Sequence, residues 1–155
     1  CIKAIISDDV VKIRNLDSTR PWQHVMELIY GYLLLAKKLK NNKSIHGESF
    51  NFGPKENINY SVLDILKEIE KNWDEFEWKK VSNKKNKFQE AKLLNLNCTK
   101  AAKILDWKLS LNLSQTVKTT IDWYKKYYSE EEDVFSITTK QIKQYQKIVK
   151  QKNSI

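Results

Sequence analysis

Residues 13–25 read IRNLDSTRPWQHV and hold both arginines of the chain, Arg14 and Arg20. The other 26 of its 28 basic residues are lysine. Where lysine is so strongly favoured, two neighbouring arginines suggest work that lysine does not do. A guanidinium is a flat, fixed fork that grips a phosphate or carboxylate at two points. Arg20 is the sharper candidate, because it sits between a strand-like run and a helix. There an anion could meet both the guanidinium and the helix N-terminus. The plain alternative is a surface arginine paired with Asp17 or Glu27. Trp22 could stack on a base or plug the core under the helix, and the core use is the commoner one. His24, near a helix start, reads as a capping or structural histidine, since no serine or cysteine partner stands beside it. Asn51 lies in FNFGP at an expected strand end, where open α/β sheets gather ligand contacts; equally, it could cap a turn. Glu90 taken alone is a surface acid. Trp107, Trp123 and Tyr124 read as core.

Other chemistries find no footing. There are three glycines, Gly31, Gly47 and Gly53, and none stands in a G-x-G-x-x-G spacing. No Tyr-x-x-x-Lys lies on a helix near a catalytic serine. Two histidines and two cysteines have no ligand spacing for a metal. The residues therefore point to an anion-binding piece with no catalytic, cofactor-binding or metal-ligating residue of its own.

The elements that would position these residues follow from pattern. CIKAII reads as the end of a helix begun upstream, and VVKIR as a strand. From His24 to about Lys40, Val25, Leu28, Ile29, Tyr32, Leu33, Ala36 and Leu39 keep helical spacing, with Pro21 just ahead. SFNFG predicts a short strand stopped by Gly53-Pro54. Ser61 and Asp64 predict a capping box for VLDILKEIEKNW. FEWKKV predicts a strand, SNKKNK a basic loop, AKLLNLN an extended run, and TKAAKIL a short helix. Ser114 is expected to cap QTVKTTIDWYKKYY. Beyond the acidic EEED lies an amphipathic helix with Ile142, Tyr145, Ile148 and Val149 on one side. Strands alternating with helices make the class α/β, with too few strands for a complete doubly wound sheet.

The chain has 155 residues, enough for a core of its own. It begins at Cys1, which suggests a start in mid-protein. Its net charge of +9 raises the question of nucleic acid. The lysines are dispersed, however, and part of the excess sits in the tail, so no nucleic-acid partner is expected. No run reaches the roughly 20 apolar residues of a membrane span. Cys1 and Cys98 read as reduced thiols of a cytoplasmic protein.

Taken together, IRNLDSTRPWQHVMELIYGYLLLAKKL, FNFGP, EAKLLNLNCTKAAKILDWK and TIDWYKKYY resemble, in order, the C-terminal half of the CDP-glucose 4,6-dehydratase family. These are NAD-dependent members of the extended short-chain dehydrogenase/reductase superfamily. RPWQHV with the following GYL is the most specific part. The resemblance covers about Cys1 to Tyr128 and implies an incomplete Rossmann-type protein. Residues 1–128 would be a nucleotide-sugar-binding portion, and 129–155 a charged helical appendix outside the match. It implies that Arg20 grips the diphosphate, that Glu90 lies near the ribose, and that Asn51 and Val62 line the nucleotide pocket. Gln23 and His24 belong to the family signature, beside Trp22 and Arg14, without an assigned step. NAD would be held by the half upstream, so this chain would be inactive alone. The intact lyase would convert CDP-glucose to its 4-keto-6-deoxy product and water, in the cytoplasm. There it would feed deoxysugars to surface polysaccharides such as the lipopolysaccharide O-antigen. A homodimer of the intact enzyme is allowed. Departures are Leu16 for proline, Gln89 for histidine, Asn97 for aspartate, and Asp106 for the glycine that closes the short helix. Rival readings are another nucleotide-sugar dehydratase or epimerase of the superfamily, or a non-catalytic basic binding module.

Overall fold

Ser61 shows how literally the sequence sets local structure. Its hydroxyl accepts from the Asp64 amide, while the Asp64 carboxylate accepts from the Ser61 amide at 2.8 Å. This reciprocal box satisfies two amides that a helix start leaves open. The helix Val62–Glu70 follows. A computed structural model describes residues 1–55, 58–81, 94–130 and 132–153. In chain order these form α1 (Ile2–Ile6), β1 (Val11–Ile13), β2 (Thr19–Arg20), α2 (Val25–Asn41), a 3-10 turn (Lys43–Ile45), β3 (Tyr60–Ser61), α3 (Val62–Glu70), β4 (Trp78–Lys80), α4 (Thr99–Leu105), α5 (Leu113–Ser129) and α6 (Val134–Asn153).

The described strands make two small sheets. β1 and β4 run parallel, with Val11 opposite Trp78, and β2 and β3 run antiparallel, with Arg20 opposite Tyr60. SFNFG is not a strand: residues 49–53 have no ladder partner among the described residues. A strand exists only through its neighbour, and these residues are held by side chains instead. SNKKNK and the first three residues of AKLLNLN lie outside the described residues.

Three apolar clusters hold the helices. α3 and α5 pack Leu66, Ile69, Val117 and Ile121 against Val11, Trp73 and Phe76. Phe52, Cys98, Ala101, Leu105 and Trp107 form a second cluster under α2, and Leu111, Tyr145 and Val149 a third. Gly31 lets Phe52 approach α2, since a Cβ there would meet the Phe52 ring at 2.5 and 2.6 Å.

Two helix ends carry lessons. Asp106 closes α4 with φ 51° in the left-handed region, the role the resemblance gives to glycine; aspartate tolerates it better than most residues. α5 is capped by Asn112, not Ser114. Asn112 accepts from Gln115 and receives its side chain in return, whereas the residue three past Ser114 is the buried Val117, which offers no acceptor. α6 docks on α5 through Trp123 Nε1 donating to Thr138 and Gln141 Nε2 donating to the Thr119 carbonyl.

Candidate functional site

The IRNLDSTRPWQHV segment is fixed at both ends. Arg20 lies in β2 opposite Tyr60, half-buried, with Nη1 donating to the Thr19 carbonyl at 2.7 Å. Two residues on, the Trp22 amide donates to the Arg20 carbonyl, and the indole Nε1 donates to the Tyr60 carbonyl at 3.0 Å. Trp22 is thus a brace across the β2–β3 pair, half-buried and pinned by its nitrogen. Gln23 Nε2 donates to the Phe52 carbonyl at 2.9 Å, which draws FNFGP against the turn, and Gly53 packs beside Pro21. Asn51, exposed, donates to the Asn97 carbonyl at 3.3 Å. Val62 opens α3, and its amide donates to the Ser18 carbonyl at 2.9 Å. Arg20, Trp22, Gln23, Asn51 and Val62 are therefore linked through the backbone of β3 and residues 50–53. Arg14 is exposed just past β1, on the other sheet. Glu90 and Gln89 lie outside the described residues.

Two expectations change. The start of α2 is not an open anion site, because His24 occupies it. The His24 Nδ1 accepts from the Met26 amide at 3.2 Å and caps the helix. The Met26 amide is thereby withdrawn from any anion at this turn. α3 is closed to anions likewise, since the Asp64 carboxylate sits at its N-terminus, held well into its ionised range by the Ser61 hydrogen bonds. Nor is Glu27 a surface partner for Arg20. It is 0% exposed. Its Oε1 accepts from the amides of Ser110 and Leu111 at 2.8 and 2.7 Å, and its Oε2 from the Tyr145 hydroxyl at 2.7 Å. Trp107 Nε1 donates to the Glu27 carbonyl at 3.1 Å. Sequence reasoning missed this carboxylate, and nothing local marks it: its partners lie 83 to 118 residues away.

His24 carries a pH signature. It is 7% exposed, and burial lowers its pKa below 6.5. The folded state therefore binds a proton less readily than the unfolded one, and stability falls as pH drops through about 6.5. Protonation also removes the Nδ1 acceptor, and losing a cap costs about 1 kcal/mol. Urea midpoints should fall between pH 7.5 and 5. His24→Asn, which caps as well when neutral, should flatten that part of the profile; an unchanged slope in the variant would count against this assignment.

Among the described residues no group of three or more His, Cys, Asp or Glu could hold a metal, and no helix is long and apolar enough to cross a membrane. None of the three glycines stands in a glycine-rich phosphate loop. Gly31 is spent inside α2, and Gly47 and Gly53 stand apart from any strand-to-helix turn.

Residues 2–120 match the model of the GDP-mannose 4,6 dehydratase family. The chain is 30% identical over 145 residues, 93% of its length, to the CDP-glucose 4,6-dehydratase of Salmonella typhimurium (strain LT2), and spans 40% of that protein. An alignment of that length runs past Glu130, so the likeness reaches into the tail, contrary to the expected limit at Tyr128. Among solved structures, the UDP-glucuronic acid 4-epimerase of Bacillus cereus in complex with UDP-glucuronic acid and NAD is similar, with a TM-score of 0.66 and 25% identity over 82% of this chain and 38% of that one. A variant of that epimerase, bound to UDP-4-deoxy-4-fluoro-glucuronic acid and NAD, gives a TM-score of 0.65 and 26% identity over the same shares. The mixed α/β architecture and the likeness across most of the chain agree: this chain belongs to the GDP-mannose 4,6 dehydratase family, among the nucleotide-sugar dehydratases and epimerases of the extended short-chain dehydrogenase/reductase type.

Proposed function

We propose that this chain is the nucleotide-sugar-binding portion of an NAD-dependent CDP-glucose 4,6-dehydratase, a lyase that forms CDP-4-keto-6-deoxyglucose and water. The observation that carries this reading is the 93% coverage of the chain by its likeness to a CDP-glucose enzyme, the turn of residues 13–25 included. Arg20 grips the diphosphate. Trp22 and Gln23 hold that turn against Tyr60 and Phe52; Asn51 and Val62 are assigned to the nucleotide pocket, and Glu90 to the ribose, on the resemblance alone. His24 fixes the start of α2, and Arg14 adds positive charge at the margin. NAD supplies the hydride chemistry from outside these residues; the chain binds and orients the sugar nucleotide and is inactive alone. Residues 1–128 form the binding portion, and 129–155 brace it through α6. The intact enzyme works in the cytoplasm.

Titration calorimetry with CDP-, UDP- and dTDP-glucose tests the reading. CDP-glucose should bind tightest. Arg20→Lys should cost about 1–3 kcal/mol of affinity, roughly 5- to 150-fold, because lysine keeps the charge and loses the fork. No binding by the folded chain, equal binding of all three, or a neutral Arg20→Lys would each sink it. Dehydration by the isolated chain would overturn the claim that it is inactive.

A further inference from the structure

The last helix carries a charge pattern that the nucleotide reading does not use. α6 holds Lys140, Lys143, Lys147, Lys150 and Lys152 and no aspartate or glutamate. These 20 residues supply five of the nine net positive charges, so the lysines are not dispersed here as they are elsewhere. Lys140, Lys143, Lys147 and Lys150 recur at three and four residues, which keeps them on one face, and all are exposed. The row is about 15 Å long. Ile137, Tyr145 and Val149, buried, lie on the other side of the helix. Like charges at this spacing repel, so the row costs the helix stability instead of holding the fold. The matched family model ends at residue 120, ahead of it. Glu132 joins the row to α5, because it pairs with Lys140 and, at 3.7 Å, with Lys126. Beside Lys126 stand Tyr127 and Tyr128, 42% and 45% exposed. Each is backed by an inner ring: Tyr127 stacks on Trp123 at 5.2 Å and Tyr128 on Tyr124 at 6.3 Å. A ring already braced on one face has little freedom left to lose when a base stacks on it. Cations in a row beside exposed aromatic rings are what single-stranded nucleic acid uses, with phosphates on the lysines and bases on the rings. An acidic protein has no use for the rings. A bilayer fits worse, since the apolar side of α6 is spent on the fold, and exposed Val134 and Phe135 follow directly on acidic residues 130–133.

We propose that the lysine row of α6, with Tyr127 and Tyr128 of α5, binds single-stranded nucleic acid. The proposal rests neither on the Arg20 site nor on the family reading, so its test and the CDP-glucose titration fail separately. The probe is a fluorescein-labelled oligouridylate of roughly 12 nucleotides, within the usual size of such a site. It is titrated with the full chain by fluorescence anisotropy between about 50 and 200 mM salt. Affinity should fall with salt at a log–log slope of about −3, from four phosphate contacts at about 0.7 each. Lys143→Gln with Lys147→Gln should lower affinity about tenfold or more at the low-salt end and make the slope shallower by about 1.4. Lys143→Arg with Lys147→Arg should keep both, because the charge is retained. Tyr128→Ala should weaken binding about fivefold or more and leave the slope as it is, since stacking releases no counterions. Circular dichroism melts check that each variant is folded. No binding at low salt, full binding by the double glutamine variant, or a neutral Tyr128→Ala would each overturn the proposal. Displacement of the oligonucleotide by polyglutamate at equal charge would assign the row to an acidic protein. Tighter capture by phosphatidylglycerol vesicles would assign it to a membrane. Either result also overturns the proposal.

Discussion

Glu27→Ala should lower stability by about 3–5 kcal/mol. The change removes the carboxylate that accepts from two buried amides, of Ser110 and Leu111, and from the Tyr145 hydroxyl. A buried donor left without its partner costs about 1–3 kcal/mol, more when the lost partner was charged. Alanine also leaves a cavity where none of the lost side chain is replaced. Against a total of about 5–15 kcal/mol for a whole domain, that is a large share. For a chain of this size it corresponds to a fall in Tm of roughly 6–20 °C. Tyr145→Phe strips one charged hydrogen bond and should cost less, about 1.5–3 kcal/mol. The phenol is not expected to ionise in ordinary buffers, since burial first and the Glu27 carboxylate second push its pKa above 10.0. Thermal melts followed by circular dichroism decide the matter. A loss under about 1 kcal/mol for Glu27→Ala would mean that water takes over the three contacts and that the network is not structural.

Phe52→Ala is the second change expected to act strongly, at about 3–5 kcal/mol. The ring is buried, stands edge-on to Tyr32 at 5.5 Å and to Trp107 at 5.2 Å, and lies over Gly31. The effect should reach the nucleotide turn as well, because the Phe52 carbonyl holds Gln23. Gly31 supplies the control. Gly31→Ala alone should destabilise by about 1–3 kcal/mol through overpacking against the ring. In the Phe52→Ala background the same change should be neutral or stabilising, because alanine favours a helix over glycine by about 1 kcal/mol once the clash is gone. Urea denaturation of the four proteins measures the coupling. Additive losses would show that the two residues do not meet as described.

Local chemistry was the part of this fold most legible from residues alone. The Ser61–Asp64 box, the bounds of α4 and the left-handed Asp106 are decided within a turn of chain. Choosing Ser114 over Asn112 shows the limit of that reading, for two cap-forming residues stood two apart and the distinction lay in Gln115. SFNFG has the pattern of a strand, but pattern states a preference for a partner and cannot supply one. The helical spacing from His24 to about Lys40 marked α2, but spacing does not say which face is buried: the buried members of the helix are Glu27 and Gly31. A carboxylate scores as surface until the amides that receive it are known, and those come from residues 110 and 111. For the candidate site, Arg20, Trp22 and Asn51 were singled out by type and position, and Gln23 by the resemblance. Their mutual bracing through the carbonyls of Tyr60 and Phe52 was not, because backbone acceptors leave no mark in sequence.

The Glu27–Tyr145 contact also sets an order of events during synthesis. The two residues are separated by 118 positions. At roughly 5–20 residues per second, the ribosome delivers the hydroxyl about 6–24 s after the carboxylate. The amides of Ser110 and Leu111 arrive 83 and 84 positions after Glu27 and match one carboxylate oxygen; the other gains the Tyr145 hydroxyl only when α6 is made, so burial of this side chain is completed in two steps. Closure of the third apolar cluster is a late, long-range step, of the kind that slows folding and exposes apolar surface on the way.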